Sequence, residues 1–189
     1  MQPLLPELEF ITWPEFHQMG FNLAQQLRNR HPACCTLISV ARGGHVLARL
    51  LSDFLKLPIY SVSIQSYKDF QRHELHITQE LNVDLKGRHV ILVDEIIDSG
   101  KTLVRALEYL EAFETRSVTS VSVHVKPEAI RKSDLYVAET SKWVVYPYEV
   151  RETIEALRPV WKRAGHSDAA LRSLLLENGL PNAWVDQFL

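Results

Sequence analysis

The amino-acid sequence predicts an α/β fold, a three-layer open parallel sheet with flanking helices. Short apolar runs rich in β-branched residues, at 35–40 (CTLISV) and 90–93 (VILV), are typical of strands buried on both faces of such a sheet. Each run leads through a small polar turn into a helical pattern of leucines. Residues 35–64 read as strand, helix and strand, a unit that is right-handed and starts a parallel sheet.

The composition is that of one soluble domain. The 189 residues are 46% hydrophobic and 23% charged with a net charge of -2, so no basic excess indicates nucleic acid or an acidic membrane. The N-terminal residues MQPLLPELEF lack the basic n-region and the long apolar stretch that are typical of a secretory leader, and no apolar run of about 18 residues follows. We therefore expect a cytoplasmic protein without a membrane partner. Cys34 and Cys35 are adjacent, so a disulfide between them would not cross-link distant parts of the fold. They are expected to be reduced core thiols.

The first predicted helix begins at a capping box. Thr12 is the cap, Pro14 lies in the first turn, and Glu15 stands three residues after the cap. The helical pattern continues to about Arg30 and ends before Pro32. This helix therefore precedes the first core strand.

The stretch 89–103 (HVILVDEIIDSGKTL) carries the strongest chemical signal in the chain. Its apolar strand stops at Asp94 and Glu95, and a polar turn at 98–102 then opens a helix. Ligands bind at the carboxyl ends of strands in open α/β sheets, and the start of a helix offers backbone N–H groups to an anion. A phosphate would fit the turn, and the two carboxylates would suit ribose hydroxyls or a divalent metal.

The main rival interpretation is a nucleotide-triphosphate P-loop, because Gly100, Lys101 and Thr102 match the end of that motif. The motif needs another glycine five residues before Gly100, where this sequence has Glu95. A P-loop is therefore excluded. A plain buried strand with a charged connection is the remaining alternative, but three carboxylates beside a Ser-Gly-Lys-Thr turn exceed what a connection needs.

The apolar strand, two acidic residues, two aliphatic residues and Asp-Ser-Gly-Lys-Thr resemble the phosphoribosyl-pyrophosphate (PRPP) signature of the type I phosphoribosyltransferases. The resemblance implies an enzyme with Mg²⁺ as cofactor. It assigns Asp94 and Glu95 to the ribose hydroxyls and the metal, and Asp98 to the purine N7 as general base. Glu95 departs from the paired aspartates of bacterial family members, which leaves its direct contact with the metal open. The residues implied in 5′-phosphate binding are Asp98, Ser99, Gly100, Lys101 and Thr102.

The same resemblance gives a role to the turn after the first core strand. In the family this loop binds pyrophosphate through backbone amides and a basic side chain, which here are Gly43, Gly44 and Arg42. A cis peptide bond is frequent in the loop and would fall between Ala41 and Arg42. By itself, the tripeptide is an ordinary glycine-rich helix entry.

A polar arm at 65–86 follows the second predicted strand, and a solvated loop or hairpin would explain its charge. Ser66 and Tyr67 at the strand exit resemble the family's mobile lid, which closes over PRPP and keeps water from an oxocarbenium-like intermediate. Arg72 is the expected pyrophosphate ligand of this lid, and His73 stays the alternative.

The β-branched stretch 117–125 predicts another strand of the sheet, which ends at Lys126. A lysine there, then an aromatic and an aliphatic residue, then an acidic residue resemble the purine pocket of the hypoxanthine, guanine and xanthine phosphoribosyltransferases. The residues that match this pocket are Lys126, Trp143, Val144 and Glu149. By itself, Trp143 would be a core or edge aromatic.

Residues 1–150 are expected to form the phosphoribosyltransferase domain, with a small hood over the carboxyl edge of the sheet. Residues 151–189 are expected to form a helical C-terminal extension that packs on the domain or on a partner subunit, in a homodimer or homotetramer. Pro159 is expected to break the first of three helices, and Ser167 and Asn182 to cap the other two.

The predicted activity is the conversion of PRPP and a 6-oxopurine, namely hypoxanthine, guanine or xanthine, to a nucleoside 5′-monophosphate and pyrophosphate. Two alternatives stay open, a PRPP-binding regulatory protein and a phosphoribosyltransferase for another base such as orotate. No basic stripe supports the regulator, and Lys126 and Trp143 argue against a pyrimidine. Gly100→Val is expected to abolish PRPP binding and to leave the fold largely intact.

Overall fold

The computed structural model describes residues 6–30, 35–66 and 75–189. The chain divides into a sheet unit, residues 17–141, and a terminal unit, residues 1–16 with 142–189. Within the described ranges, no helix has the length and apolar character needed to cross a membrane. The strands are β1 (Leu8–Phe10), β2 (Cys35–Ala41), β3 (Ile59–Ser66), β4 (Leu75–Gln79), β5 (His89–Val93), β6 (Ile96–Ile97), β7 (Ser117–Val125), β8 (Leu135–Glu139) and β9 (Trp143–Val145). The helices are α1 (Trp13–Arg30), α2 (Gly44–Leu55), α3 (Lys101–Glu111), α4 (Val150–Arg163), α5 (Asp168–Glu177) and α6 (Asn182–Phe188).

The sheet unit is built on one mainly parallel sheet. Its strand order is β4-β3-β2-β5-β7-β6, and β8 also pairs with β7. Neighbouring strands run parallel except β3 and β4, which form an antiparallel pair at the edge. The predicted open sheet with flanking helices is confirmed, and the end of the polar arm supplies its antiparallel strand. An edge strand with one wet face suits the alternating pattern of β4.

The strand of the PRPP signature is interrupted and then continues. β5 pairs with β7 as far as Val93 opposite Val121, and β6 resumes with Ile96 opposite His124. Both strands advance by three residues across the gap, so the register is unchanged. The sequence did not predict β6. The structure shows that only Asp94 and Glu95 interrupt the regular strand pairing with β7.

The core of the sheet unit forms where one face of the strands meets α3. Leu103, Ala106 and Leu110 recur at helical spacing and are buried, and they share a cluster with Val40 and Leu92 of the sheet. Helix α2 packs on β2, β3 and β5. Burial of the apolar stripe of α3 fixes where this helix starts, directly after the polar turn of the signature.

The terminal unit combines a two-stranded parallel sheet, formed by β1 and β9, with helices α4 to α6. The sequence did not predict β1, since three residues carry too little pattern to identify a strand. The helices surround a small core of Val150, Ile154, Leu171, Leu175 and Val185. The predicted domain boundary at residue 150 and the predicted hood remain predictions.

The expectation that Pro159 breaks a helix is wrong, because α4 continues through it to Arg163. A proline inside a helix removes one N–H donor and crowds the preceding turn. The buried side chains of Ile154 and Leu157, one turn earlier, anchor the helix in spite of that cost.

Of the two caps predicted for the last two helices, one is confirmed and one is wrong. Ser167 caps α5 as predicted, since its Oγ accepts from the Ala170 N–H at 3.2 Å. Asn182 is not a cap, because Pro181 holds that position and Asn182 is the first helical residue. Its side-chain amide instead donates to Asp186 Oδ2 at 2.9 Å.

The capping box of α1 is confirmed. The backbone N–H of Thr12 donates to Glu15 Oε2 at 2.8 Å, and the Glu15 N–H points back to Thr12 Oγ1 at 3.4 Å. The hydrogen bond from the Thr12 hydroxyl lowers the pKa of Glu15, and the backbone bond adds to this effect. The acidic side chain is therefore ionised at the positive end of the helix.

Candidate active site

Four parallel strands end at one edge of the sheet unit. β3, β2, β5 and β7 are neighbours in that order, so their carboxyl ends lie together, where open α/β sheets bind ligands. The strands end at Ser66, Ala41, Val93 and Val125. Apart from the lid residues, the predicted ligands of the sheet unit follow the ends of β2, β5, β6 or β7 within five residues. The fold therefore brings the predicted PRPP turns and Lys126 to the same edge.

The turn after β2 lies directly against the acidic residues after β5. A methyl group on Gly43 would overlap the carboxylate of Glu95, and one on Gly44 would overlap the carbonyl oxygen of Val93. At Gly44 only glycine permits so close an approach to the backbone, and at Gly43 a larger residue would have to displace the Glu95 carboxylate. The predicted pyrophosphate turn and the predicted ribose and metal ligands are thus in contact.

The peptide bond between Ala41 and Arg42 is cis, as the resemblance implies. The side chain of Arg42 is exposed, and the His45 N–H donates to the Arg42 carbonyl at 3.1 Å. The sequence did not single out His45, whose Nδ1 lies 2.9 Å from Ser39 Oγ at the end of β2. No spacing rule signals this pair, because the contact depends on how α2 leaves the strand.

The main chain of β7 fixes the acidic residues. Asp94 donates its N–H to the Val121 carbonyl at 3.1 Å, and the Glu95 carbonyl accepts from Val123 at 3.0 Å and from His124 at 3.1 Å. Asp94 Oδ1 accepts from the Glu95 N–H at 3.0 Å. Both side chains are half-buried. They differ in surroundings, since the Asp94 carboxylate contacts its own main chain and the Glu95 carboxylate reaches the glycine turn.

The predicted 5′-phosphate turn leads into the N-terminus of α3. Asp98 and Ser99 are exposed, Gly100 is buried with a φ of 79°, and the helix begins at Lys101 with Thr102 half-buried behind it. The first N–H groups of a helix have no partner within it and carry the positive end of its dipole. The turn can therefore donate several hydrogen bonds to one anion.

The surroundings of Gly100 contradict the expectation that Gly100→Val leaves the fold largely intact. Its positive φ disfavours other residues, and an added Cβ atom would lie 2.7 Å from the carbonyl oxygen and 2.8 Å from the nitrogen of Arg131. Gly100→Val would therefore displace the chain around Arg131 and disturb the fold as well as the turn. Thr102→Val is the better test of phosphate binding, because it removes a hydroxyl and keeps the shape.

Lys126 is joined to the start of the phosphate turn. It directly follows β7, has 8% of its surface exposed, and donates its backbone N–H to the Ile97 carbonyl at 2.8 Å. Ile97 is the residue before Asp98. The predicted base ligand and the predicted general base thus follow two strand ends that are hydrogen-bonded to each other.

The other three predicted purine ligands belong to the terminal unit. Trp143 begins β9 with 37% of its surface exposed, and Val144 beside it is buried. Glu149 stands directly before α4 and donates its N–H to the Tyr146 carbonyl at 3.2 Å. An exposed indole next to a buried aliphatic leaves a flat surface available for stacking.

The predicted lid falls mainly on residues that the structure does not describe. Ser66 is the last residue of β3, while Tyr67, Arg72 and His73 lie outside the described residues. The choice between Arg72 and His73 as pyrophosphate ligand therefore stays open. Within the described ranges, no group of three or more His, Cys, Asp or Glu side chains is arranged to hold a metal ion.

Residues 12–153 match the family described as "Phosphoribosyl transferase domain", and the chain belongs to this family. It is 28% identical over 147 residues to a xanthine-guanine phosphoribosyltransferase of Idiomarina loihiensis, covering 75% of this chain and 86% of that protein. A purine phosphoribosyltransferase structure from Pyrococcus horikoshii aligns with a TM-score of 0.71 and 31% identity, covering 75% of this chain and 93% of that one. A xanthine-guanine-hypoxanthine phosphoribosyltransferase structure from Helicobacter pylori has a TM-score of 0.70 at 23% identity, covering 79% and 99%, and supports the fold.

These similarities confirm the prediction of a phosphoribosyltransferase enzyme that is similar to the 6-oxopurine members. The family match includes every residue that the sequence analysis placed in a site, from Arg42 to Glu149. The roles of the individual residues stay predictions.

Proposed function

We propose that this protein transfers the phosphoribosyl group of PRPP to a 6-oxopurine, giving a nucleoside 5′-monophosphate and pyrophosphate. Family membership supplies the reaction class, and relatives named purine and xanthine-guanine phosphoribosyltransferases support the choice of base. The observation that carries the proposal is the contact of Gly43 and Gly44 with the acidic strand end. If the predicted roles hold, this contact would give one PRPP molecule a pyrophosphate site and a ribose site side by side.

PRPP would be held mainly by main-chain groups. The 5′-phosphate would sit on the amides of residues 98–102, with hydroxyl donors from Ser99 and Thr102, at the N-terminus of α3. The pyrophosphate would bind the amides of Gly43 and Gly44 and the exposed guanidinium of Arg42. Arg72 would complete that site from the lid.

Mg²⁺ is the proposed cofactor. Proteins bind it through one or two carboxylates together with substrate phosphates, and Asp94 and Glu95 offer two half-buried carboxylates beside the pyrophosphate turn. These residues fit a metal that arrives with PRPP. The bound ion would supply charge neutralisation at the pyrophosphate oxygens.

Catalysis would depend on charge that develops at the sugar and at the leaving group. The glycosidic carbon becomes cationic as pyrophosphate departs, and Arg42 with the glycine amides would stabilise the growing negative charge. Asp98 is exposed at the start of the turn and would hold the proton of the purine N7 while the new bond forms. A placed proton acceptor is typically worth about 10² to 10⁴ in rate.

The base would be selected by Lys126, Trp143, Val144 and Glu149. The ammonium group of Lys126 donates to the 6-oxygen and disfavours adenine, whose amino group at that position is itself a donor. Trp143 stacks on the ring, an interaction worth about 1 to 3 kcal/mol for a base on an aromatic side chain. The carbonyl of Val144 and the carboxylate of Glu149 accept from the Watson–Crick edge.

One assay separates this proposal from its alternatives. The protein is incubated with PRPP and Mg²⁺ and with hypoxanthine, guanine, xanthine, adenine or orotate in turn, and released pyrophosphate and nucleotide are measured. Turnover of at least one 6-oxopurine, with adenine and orotate nearly inert, is the expected result. Efficient use of orotate would point to a different base class, and PRPP binding without turnover of any base would point to a regulator.

Assembly and location are also part of the proposal. The protein is proposed to form a homodimer or homotetramer and to act in the cytoplasm, with residues 151–189 packed on the domain or on the partner subunit. Light scattering after size-exclusion chromatography measures the subunit count. Cell fractionation tests the location, and an elution at one subunit mass would contradict the assembly.

A further inference from the structure

The connection between β7 and β8 touches two of the proposed subsites. We call residues 127–134 the strap. It directly follows Lys126, whose carbonyl accepts from the Ala129 N–H at 3.2 Å, and it then donates the Ile130 N–H to the Ser99 carbonyl at 3.0 Å. One residue further, the backbone of Arg131 fills the space beside Gly100. The strap therefore contacts the proposed base ligand at one end and the phosphate turn in its middle.

Asp134 anchors the far end of the strap to the sheet. Its carboxylate Oδ2 accepts from the Ser120 N–H at 2.8 Å and from the Ser120 hydroxyl at 2.7 Å. Its own N–H donates to Ser120 Oγ at 2.9 Å. Ser120 lies inside β7 with 1% of its surface exposed. Three bonds to one buried residue leave the strap little freedom at this point.

A second anchor links the strap to the acidic strand end. Ser133 Oγ lies 2.6 Å from Ser122 Oγ, and both residues are buried. The Ser122 hydroxyl also bonds the His124 carbonyl at 3.1 Å, and the His124 N–H donates to the Glu95 carbonyl. The same hydrogen-bonded network thus reaches the base, phosphate and ribose ends of the proposed site.

We infer that Asp134 is a positioning residue that couples the purine site to the PRPP site through the strap. This inference rests on the proposed function. Asp134 follows the strap's phosphate-turn contacts by several residues and is assigned no contact with substrate. Releasing it frees a segment that holds Lys126 and the phosphate turn at once. Both substrates should then lose affinity together, because a small displacement of positioning groups weakens every interaction that they align.

The test compares Asp134→Ala with the wild type in steady-state assays with PRPP, Mg²⁺ and the best 6-oxopurine. The KM for PRPP and the KM for the base are each expected to rise about tenfold, within the usual range for coupling between sites, with kcat changed less than either. Asp134→Asn keeps an acceptor for both Ser120 donors and should restore both KM values. Asp84→Ala is the matched control, since Asp84 is exposed and bonds one backbone N–H outside the strap.

Two reference variants show that the joint effect is specific. Thr102→Val should raise mainly the KM for PRPP, and Lys126→Ala mainly the KM for the base. If Asp134→Ala does not fold, as judged by its melting temperature, Ser133→Ala loosens the second anchor and should shift both KM values in the same direction. Wild-type KM values in both Asp134→Ala and Ser133→Ala, or a change in only one of the two KM values in these two variants, would overturn the inference while leaving the proposed function intact. If none of the tested bases supports turnover of PRPP by the wild type, both the inference and the proposed function are overturned.

Discussion

The sheet unit and the terminal unit hold their functional and structural groups in place by different means. In the sheet unit, Glu95 is fixed by its own main chain against β7, and Gly43 packs on its carboxylate. In the terminal unit, α4 and α5 are tied by an ion pair in which Arg158 Nε and Nη2 donate to the two oxygens of Asp168 at 3.1 and 2.6 Å. Substitutions at the acidic strand end of the first unit should therefore change chemistry, and substitutions at the ion pair between α4 and α5 should change stability.

Among the substitutions considered, Asp98→Asn should have the largest effect on activity. It should change catalysis without changing stability, in contrast to substitutions at the ion pair of the terminal unit. Asp98 is exposed, so its loss should leave the melting temperature unchanged, while kcat should fall by about 10² to 10⁴, the usual contribution of a placed general base. Single-turnover kinetics with the preferred 6-oxopurine measure the chemical step directly. An unchanged rate of that step would remove Asp98 from the mechanism.

Gly43→Ala and Gly44→Ala separate function from folding within one turn. A methyl group at Gly43 meets the movable carboxylate of Glu95, whereas one at Gly44 meets the backbone at Val93. Gly43→Ala should therefore raise the KM for PRPP by a factor on the order of 10², through misplaced ligands, with little change in melting temperature. Gly44→Ala should lower the melting temperature clearly. Calorimetry beside the assay checks both, and equal stability of the two variants would contradict the geometry.

Lys126→Ala tests whether base choice depends on the sheet unit. A hydrogen bond to a charged group is worth about 1.5 to 3 kcal/mol, so kcat/KM for hypoxanthine and guanine should fall by about 10- to 150-fold. Adenine, which gains nothing from the ammonium group, should not lose activity. Trp143→Ala is the comparison from the terminal unit and should weaken all purines alike. A parallel loss for adenine and hypoxanthine in Lys126→Ala would contradict its role at the 6-oxygen.

Asp168→Asn should give the smallest effect and should depend on pH. The hydrogen bond from Arg158, and then that from Lys162, lowers the pKa of Asp168 from 3.8 to about 2. The ionised carboxylate therefore stabilises the folded state above about pH 4, and this contribution disappears as the pH falls toward 2. Its side chain is more than a third exposed, so solvent weakens the pair and the melting temperature should fall by only a few degrees at pH 7.

The control for this last prediction is the pH series itself. The difference in melting temperature between wild type and Asp168→Asn should shrink as the pH is lowered from 5 to 3. Turnover of the 6-oxopurine at pH 7 should be unchanged, because the substitution lies in α5. A difference that grows on acidification would show that another group causes it.

Local sequence determined those parts of the protein whose physics is short-range. The capping box at Thr12 and Glu15 needs only three residues of spacing, and it is present. The apolar runs of β2 and β5 and the turn at 98–102 identified the sheet and the family, because buried parallel strands and anion-binding turns have continuous signatures. The structure confirmed the fold class, and the family match confirmed the predicted phosphoribosyltransferase.

Only the tertiary structure decided the features that depend on contacts between distant segments. The continuation of β5 as β6 requires β7 as a partner, and α4 passes through Pro159 because its neighbours bury one of its faces. The approach of Arg131 to Gly100, which corrected the expectation for Gly100→Val, joins residues about thirty positions apart. Contacts of this kind depend on where the chain comes back to the edge of the sheet. The residue pattern of one segment cannot predict them, because it does not specify which distant segment will pack against it.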